Sequence, residues 1–370
     1  MSAPRRIYSI DILRGLTISL MIIVNNPGSW GSVYSPLLHA KWHGCTLTDL
    51  VFPFFLFLVG ASMRFAFVKW HYYPSKEFHQ HIFWRSLSIF MLGVLLNAFP
   101  FIKQNWDWST FRVMGVLQRI AIAYGISSLL IIRYDFKIIT KIITSILFFY
   151  WGALFFGSSN APYGLTTNLA RTIDLSILGE SHLYQGFGVS FDPEGLFSTI
   201  PSIATVLIGY LMGGMLHTTK NYNDCAKRMA IFGFSLVIIG YLWGFIFPIN
   251  KPLWTSSYVL FTSGIATLAL SFLTYLIDIK GFKRPFLFFK IFGENSIFLF
   301  LLSGLWTKTI LLIKLNLDGK EVSAYHYLYK TIFFPFANNF NGSLLFSLVH
   351  LFGFWLILFW MNKKDITIKL

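Results

Sequence analysis

Charged side chains are scarce in this sequence. Asp, Glu, Lys and Arg make up 12% of the 370 residues, whereas roughly 25% is typical of soluble domains. So few charges cannot cover a surface that faces water, and the composition therefore excludes a soluble globular protein. Only two cysteines are present, Cys45 and Cys225, which is too few for a disulfide framework or a thiolate metal site.

Several sequence motifs of catalysis are also absent. The chain has no glycine-rich phosphate loop, no zinc-binding helix motif and no nucleophile elbow of the hydrolase type, and no metal ion is expected. The net charge of +15 is spread through short segments and is not gathered in a basic domain or arm. Nucleic acid is therefore not expected as a partner, and membrane lipid is.

Apolar residues make up 55% of the chain, and the mean hydropathy is +0.62. A helix that crosses a bilayer needs about 20 mainly apolar residues. Windows of this kind lie near residues 11–29, 47–68, 82–100, 113–133, 137–157, 194–217, 228–247, 254–277, 289–313 and 343–362. The sequence therefore predicts an all-α bundle of about ten transmembrane helices in one domain, residues 1–370, whose first window is a retained helix and not a signal peptide.

Lysine and arginine are concentrated in alternate connecting segments. One set includes Arg5 and Arg6 near the start and Lys369 near the end, whereas loop 158–193 contains only Arg171. Because positive residues favour the cytoplasmic side, both termini are predicted to be cytoplasmic. Loop 158–193 is then an outer cap, and segment 323–340, which contains a proline, is expected to be an interfacial or re-entrant helix.

The stretch between the first two windows is polar for a membrane protein. Residues 25–55 include two Asn, two His, two Trp and an Asp. Such groups are found at membrane depth where they line a cavity or pair with each other. We interpret this stretch as the reaction centre of an integral membrane enzyme.

His39 suits a general base, because a neutral imidazole takes up and returns a proton near pH 7. Asp49 would orient its ring and stabilise its cation. The alternative for His39 is an interfacial histidine in a polar loop, and His43 has the same ambiguity. Asp49 also has a structural alternative, because Thr46-Leu47-Thr48-Asp49 fits a capping box at the start of a helix.

Two further polar residues have the same double interpretation. The amide of Asn25 could donate a hydrogen bond to a developing oxyanion, or Asn25 could simply prepare the turn at Pro27-Gly28. Segment 192–195 is explained in part by the start of a helix, with Asp192 as the N-cap and Pro193 at the first helical position. Glu194 then remains as an unexplained acid at the mouth of a helix.

Arg119 lies in the middle of a predicted span. A charge at that depth costs at least ~2.5 kcal/mol, so the guanidinium is expected to face a partner or a water-filled pocket. The favoured interpretation is a pocket or ligand site. The alternatives are a buried ion pair with Glu294 or an anchor between helices.

The chain resembles the bacterial relatives of the heparan-alpha-glucosaminide N-acetyltransferase family. The resemblance depends on His39-Ala40-Lys41-Trp42-His43-Gly44 and on further segments in the same order. These segments are residues 9–15, 24–25, 46–53, 115–119, 182–185, 192–195, 250–258 and 295–297. They occur in order over residues 9–297, a range that is most of the chain, whereas the part after about residue 300 matches poorly.

The resemblance implies a membrane acetyltransferase. Such an enzyme takes acetyl-CoA, as a co-substrate, from the cytoplasm and acetylates the amine of a glucosamine-type amino sugar on the outer side of a bacterial inner membrane. It assigns His39 and Asn25 as catalytic residues and makes His43, which replaces an Asn, the less favoured base. The expected substrate-binding residues are Asp49, Glu194, Trp42, His182 and Tyr258. The expected residues for acetyl-CoA are Arg119, Gln118, Arg14 and Asn295, with the pantetheine arm passing Arg119.

Two questions stay open at this stage. The amine could attack the thioester directly, with His39 as base, or an acyl-histidine could form first. The alternative function is an amino-sugar or N-acetylglucosamine permease of the inner membrane, which would place its polar groups near the midplane. A non-catalytic scaffold would not need Arg119 in mid-span, and a homodimer is an open alternative to a monomer.

Overall fold

A computed structural model describes residues 7–70, 75–101, 107–158 and 160–368. Arg5, Arg6 and Lys369, which contribute to the predicted orientation, lie outside these ranges. The first five helices are α1 Tyr8–Asn25, α2 Val51–Ala66, α3 Lys76–Ala98, α4 Val116–Arg133 and α5 Phe136–Phe156.

The second half of the chain begins with a short helix in the predicted cap. Its helices are α6 Leu169–Leu178, α7 Leu196–Thr218, α8 Tyr222–Trp243, α9 Ser256–Leu273, α10 Leu287–Glu294 and α11 Ser296–Leu312. A hairpin of strands β1 Lys314–Leu317 and β2 Lys320–Ser323 follows. The last helices are α12 Ala324–Leu328, α13 Phe334–Ala337 and α14 Asn339–Lys363.

The prediction of a helical membrane bundle is confirmed. Over the described ranges, nine helices are long and apolar enough to cross a membrane. The number rises to ten if the pair around α10 and α11, which is bent by 73°, counts as one span. Each of the ten apolar windows falls on one of these helices. Because successive spans reverse direction, we name the two faces of the bundle after the ends of α1, the Tyr8 face and the Asn25 face.

Helices α2 and α7 pack closely at the centre of the bundle. A side chain at Gly60 would clash with the carbonyl of Val206, and one at Gly209 would clash with the carbonyl of Phe57. Gly213 likewise faces Ala61, as the small-residue pattern predicts. This close approach fixes the position of α2, which directly follows the short 3-10 turn Thr48–Leu50 that contains Asp49.

The half of helix α1 nearest the Tyr8 face is held at two points. Asp278 accepts the main-chain N–H groups of Tyr8 at 3.2 Å and of Ser9 at 3.1 Å, and so supplies the cap that the α1 N-terminus lacks. Gly15 lies against the carbonyl of Phe289, where any larger residue would clash. Helix α10 therefore lies directly against α1, beside Arg14.

The start of α7 differs from the prediction. The helix begins at Leu196, with Gly195 at the N-cap position, so Asp192 is not the N-cap and Pro193 is not the first helical residue. The Asp192 carboxylate is engaged elsewhere, by the side chain of Arg112. Sequence alone could not show this, because the competing arginine lies 80 residues earlier.

The cap segment 158–193 lies beside the loop that connects α1 and α2. The indole N–H of Trp42 donates to the carbonyl of Tyr163 at 2.8 Å, and its ring packs edge-on against Phe187 and Phe191. Segment 323–340 consists of α12, a wide helical turn at Tyr329–Phe333 and α13. Its placement at the membrane surface or within the bilayer stays a prediction.

Candidate functional site

Two connecting loops meet on the Asn25 face and bring distant residues together. The N–H of Gly44, between α1 and α2, donates to the carbonyl of Ile249 at 2.7 Å. The side-chain amide of Asn250, between α8 and α9, donates to the carbonyl of Trp42 at 2.9 Å. These two hydrogen bonds between the loops place His39 next to Lys251, 212 residues later in the chain.

His39 and Asp49 form a close pair. Nδ1 of His39 lies 2.6 Å from Oδ1 of Asp49, whose side chain is buried, whereas the imidazole is 53% exposed. The other carboxylate oxygen, Oδ2, accepts the N–H groups of Ala40 and Thr46 and the hydroxyl of Thr46, each at 3.0 Å. Oδ1 therefore holds the histidine, whereas the predicted capping box is formed only in part. Oδ2 accepts the N–H of Thr46, but Thr46 is not an N-cap residue, and its hydroxyl donates to Asp49 and to the carbonyl of Leu38.

The side chain of Lys251 is the third member of this cluster. Its Nζ lies 3.6 Å from Asp49 Oδ1 and 3.2 Å from His39 Nδ1. The ring nitrogen cannot donate to the carboxylate and accept from the ammonium at once. The contact from Nδ1 to the charged Asp49 carboxylate is the shorter one, so we assign the proton to Nδ1. The lone pair of Nε2 is then free to accept a proton.

His43 has a different environment. Its Nδ1 lies 3.3 Å from the side-chain nitrogen of Asn250, and no carboxylate is among its contacts within the described residues. Burial lowers the pKa of His43, which makes this ring a weaker base. Burial and the charge of Asp49 raise the pKa of the nearby Cys45 thiol to about 12, so that it is protonated at neutral pH and cannot act as a thiolate nucleophile.

A cavity of about 170 Å³ opens beside this cluster, and we call it the His39 cavity. Its polar lining includes Asn25, His39, Glu194 and Lys251, and its apolar wall includes Phe52. The side chain of Asn25 is exposed and forms no hydrogen bond with any residue that the structure describes. Its amide is therefore available to a molecule in the cavity.

Neighbouring Asn26 has a purely structural environment. It is buried, its amide nitrogen donates to the carbonyl of Ile22 at 2.9 Å, and its Oδ1 accepts the hydroxyl of Thr307 at 2.6 Å. The two adjacent asparagines thus have opposite surroundings. This contrast supports the catalytic interpretation of Asn25 over that of a simple turn residue.

Glu194 reaches the cavity as part of an ion-pair network. Arg112 donates to Asp192 with two N–H groups, at 2.8 Å and 2.7 Å, and to Oε2 of Glu194 at 2.6 Å. The two carboxylates raise the pKa of Arg112, and the guanidinium packs 4.9 Å from the ring centre of Tyr184 in the cap. This network fixes the carboxylate of Glu194 at the cavity wall.

A second cavity, of about 270 Å³, lies toward the Tyr8 face, and we call it the Arg14 cavity. Its basic lining residues are Arg14, His81 and Arg85. Arg14 contacts Asp11 at 3.2 Å, the carbonyl of Gly293 at 3.1 Å and the hydroxyl of Ser62. The guanidinium of Arg85 lies 5.2 Å from the ring centre of Tyr124.

The two cavities adjoin. Phe55 of α2 and Ile297 of α11 line both of them. A basic chamber near one face is thus separated from the histidine cluster near the other face by two apolar side chains. The arrangement matches a long ligand that has an anionic end and a thin arm.

The polar residues of the His39 cavity all lie in a segment with a known relationship. Residues 6–252 match the family model described as heparan-alpha-glucosaminide N-acetyltransferase, catalytic. The chain belongs to this family. It is 28% identical to the human heparan-alpha-glucosaminide N-acetyltransferase over 352 residues, 80% of this chain and 52% of that protein. The mouse enzyme of the same name is 28% identical over 354 residues, 81% of this chain and 53% of that protein. The chain thus spans about half the length of these curated relatives.

Seven predicted site residues line neither cavity. One is Asp49, which reaches the His39 cavity only through its contact with His39. The other six are Trp42, His182, Tyr258, Arg119, Gln118 and Asn295. Tyr258 donates its hydroxyl to the carbonyl of Asp49 at 2.6 Å and so acts on the site through the main chain. His182 is bound through Nδ1 to the carbonyl of Phe111 at 2.7 Å, and Trp42 holds the cap.

Arg119 is fully buried against the start of α7. Its Nη2 contacts the carbonyl of Gly195 at 3.3 Å and the hydroxyl of Ser198, and its guanidinium lies 5.0 Å from the ring centre of Trp254. The alternative ion pair with Glu294 is wrong, because Glu294 pairs with Lys290 at 3.3 Å. The path outlined by the two cavities also does not pass Arg119. Its assignment to acetyl-CoA stays a prediction without geometric support.

Gln118 and Asn295 also have structural partners. Gln118 is buried and donates to the carbonyl of Val113 at 2.7 Å. Asn295 stands at the bend between α10 and α11 and accepts the N–H of Ile368 at 3.0 Å. Ile368 itself lines the Arg14 cavity, so Asn295 acts on this cavity through another residue.

Sequence reasoning missed three charged residues at or beside the two cavities. Lys251, Arg112 and Arg85 all contact the cavities or their lining. Lys251 lies in a segment that supports the family resemblance, next to Asn250, and this was the available signal. For Arg112 and Arg85 the sequence offers no signal, because basic residues near helix ends are common in membrane proteins. Among the described residues, no group of three or more His, Cys, Asp or Glu side chains could hold a metal ion.

Proposed function

We propose that this protein is a transmembrane acetyltransferase that moves an acetyl group from acetyl-CoA to the amine of an amino sugar of the glucosamine type. The observation that carries the proposal is the buried Asp49 carboxylate 2.6 Å from His39, at a cavity that adjoins a basic chamber nearer the other face. Membership of the acetyltransferase family supports the reaction class.

The residues of the His39 cavity supply what acyl transfer to an amine needs. Asp49 fixes Nδ1–H of His39, so Nε2 accepts the proton that the amine loses as its nitrogen attacks the acetyl carbon. The new C–N bond forms, the C–S bond breaks, and His39 returns the proton to the departing sulfur. Asn25 stands free at the same cavity and donates a hydrogen bond to the oxygen that becomes negative.

Glu194 suits the acceptor end of the cavity. Its carboxylate is fixed by Arg112 at one oxygen, Oε2, and it faces the same space as His39 and Asn25. A carboxylate at this point attracts the ammonium group of an amino sugar. The ammonium releases one proton to water and so becomes the amine that attacks. The acceptor class is inferred from this pairing and from membership of the heparan-alpha-glucosaminide N-acetyltransferase family.

The Arg14 cavity suits the donor. Acetyl-CoA supplies an activated thioester on a long arm that ends in an anionic nucleotide. Arg14 and Arg85 offer positively charged donors for phosphates, and His81 adds a ring nitrogen. The apolar wall at Phe55 and Ile297 suits the uncharged arm. With the termini cytoplasmic, as the loop charges predict, this cavity opens toward the cytoplasm of a bacterial cell and the His39 cavity toward the outside.

Purified protein in detergent, incubated with acetyl-CoA and glucosamine, provides the direct test. We expect free CoA thiol and N-acetylglucosamine to appear in equal amounts. Transport of the sugar into proteoliposomes without any release of CoA would instead indicate a permease and would reject the enzyme.

Incubation with labelled acetyl-CoA alone separates the two mechanisms. Direct attack leaves the protein unlabelled, whereas an acyl-histidine route leaves label on His39.

The orientation has its own test. Lys41 is exposed on the Asn25 face, and Asn223 is exposed on the Tyr8 face. In intact spheroplasts, a membrane-impermeant maleimide should label Lys41→Cys and should label Asn223→Cys only after lysis. The reverse pattern would overturn the predicted cytoplasmic termini without affecting the proposed reaction.

A further inference from the structure

Lys251 is the one cation in direct contact with the His39–Asp49 pair among the described residues. Its side chain is 18% exposed, lines the His39 cavity, and lies within 3.6 Å of the Asp49 carboxylate. We propose that Lys251 is a positioning residue that keeps His39 neutral, and therefore able to accept a proton, by balancing the charge of Asp49. This inference rests on the proposed transferase function.

The argument begins with the charge that the imidazole faces. A buried carboxylate 2.6 Å from His39 favours the imidazolium form, in which the ring has no lone pair to accept the substrate proton. The Lys251 ammonium lies 3.2 Å from the same ring nitrogen and opposes that charge. The two neighbours together are close to neutral, and so they favour the neutral ring.

The surrounding groups do not replace Lys251. Glu194 lines the same cavity but is paired with Arg112, 2.6 Å away. His43 is turned toward Asn250. The Asp49 Oδ2 atom is bound by uncharged donors only, two main-chain N–H groups and one hydroxyl. The charge on Lys251 is therefore the balance for the charge on Asp49.

The geometry also explains why the ammonium does not take the place of the histidine. Lys251 reaches the carboxylate at 3.6 Å, which is too long for a strong hydrogen bond, whereas His39 occupies the same oxygen at 2.6 Å. Lys251 thus contributes charge, and His39 keeps the hydrogen bond that sets its tautomer.

The test measures the protonation of His39 without using activity. Diethyl pyrocarbonate modifies the neutral imidazole, and mass spectrometry of the His39 peptide gives the extent of its reaction at each pH. In Lys251→Gln, we expect the pH of half-maximal modification to rise by about one unit, since a unit charge at this distance is worth at least ~1 kcal/mol. Lys251→Arg, which keeps the charge, should behave like the wild type.

The same variants are then assayed for acetyl transfer across pH 5.5–9. Lys251→Gln should lose up to about tenfold in rate at the acid end of this range, less near neutral pH, and should recover at high pH. A uniform loss at every pH, with an unchanged His39 modification curve, would overturn the inference and leave the transferase proposal intact. If Lys251→Gln does not fold, Lys251→Met and Lys251→Arg carry the comparison, with the modification curve as the deciding measurement. No transfer by the wild type would reject the proposed function, and the modification curves would still decide the role of Lys251.

Discussion

The hydroxyl of Tyr258 donates to the main-chain carbonyl of Asp49 at 2.6 Å and so ties the first turn of α9 to the His39–Asp49 pair. Tyr258 is fully buried, and Asp49 is nearly so. The side chain of Asp49 faces His39 while its carbonyl faces Tyr258. One residue of α9 therefore helps to hold the turn directly before α2, which carries the Asp49 carboxylate.

Replacing Tyr258 should uncouple this support. In Tyr258→Phe the buried carbonyl loses its partner, which costs ~1–3 kcal/mol. We expect a lower unfolding midpoint in detergent and a several-fold slower transfer with an unchanged KM for acetyl-CoA. Tyr241→Phe, at an exposed tyrosine on α8, is the matched control. Equal behaviour of the two variants would contradict the role given to Tyr258.

His39→Ala should remove transfer, with a loss of at least ~100-fold, because general base catalysis typically contributes 10²–10⁴-fold. Binding of CoA, measured by calorimetry, should be little changed, since His39 lies outside the Arg14 cavity. Asp49→Asn should lower the rate by a similar factor. His326→Gln, at an exposed histidine, should leave the rate unchanged. Normal turnover by His39→Ala would remove the basis of the proposed mechanism.

The two adjacent asparagines should respond in opposite ways. Asn25→Ala should cost roughly 10²–10³-fold in turnover, as loss of an oxyanion donor does, and should leave thermal stability unchanged. Asn26→Ala should lower stability by ~1–3 kcal/mol, because it removes the buried contacts to Ile22 and Thr307. Rates per folded molecule and unfolding midpoints separate the two effects. A stability loss in both variants would show that Asn25 is structural.

The basic chamber should determine the affinity for the donor. Arg14→Gln and Arg85→Gln should each weaken CoA binding by roughly ten- to a hundredfold, as expected when a hydrogen bond to a charged group is lost. For dephospho-forms of CoA, which lack an anionic group, the two substitutions should lower the affinity less. Arg133→Gln, an exposed arginine at the end of α4, serves as the control. Unchanged binding in both chamber variants would place the nucleotide elsewhere.

Asp174 should make stability depend on pH. It accepts the N–H of Leu196 at 2.9 Å, while burial raises the pKa of its carboxyl from the ordinary 3.8 to about 6. A raised pKa in the folded state favours the protonated form, so the contribution is full below pH 4 and is lost as the pH rises through about 6.

Unfolding midpoints between pH 4 and 7 provide the measurement for Asp174. Relative to Asp174→Asn, the wild type should lose about 2–3 kcal/mol over this range. Glu321→Gln, at an exposed glutamate in β2, should run parallel to the wild type. Parallel curves for Asp174→Asn as well would contradict the stated shift.

Helix positions were the most predictable part of this fold. The length and apolarity of a span are properties of neighbouring residues, and the ten windows all fall on helices. The exact starts were less accessible. Helix α3 begins at Lys76, six residues before the predicted window, because Ser75 caps it through a hydrogen bond from Phe78 at 3.1 Å, within a polar first turn.

The site was predictable where its partners lie close in sequence. His39 and Asp49 are ten residues apart, and their polar segment stands out between apolar windows. Lys251 could not be connected with them, because only the contact between two distant loops brings it near. For Arg119 the sequence suggested a ligand site that the cavities do not support. Its hydrogen-bond acceptors include the main-chain carbonyl of Gly195. Every residue has such a carbonyl, so no sequence pattern could reveal this partner.

Phe55 and Ile297 stand between the two cavities, and this has a consequence for the cell that carries the protein. An open water column through the bundle would let protons leak down their gradient and would discharge the membrane. Two hydrocarbon side chains at the narrowest point interrupt such a column, because an ion that leaves water for an apolar gap loses its hydration. An uncharged molecular arm, which has no hydration shell of this strength to lose, is the kind of group that such an apolar boundary admits.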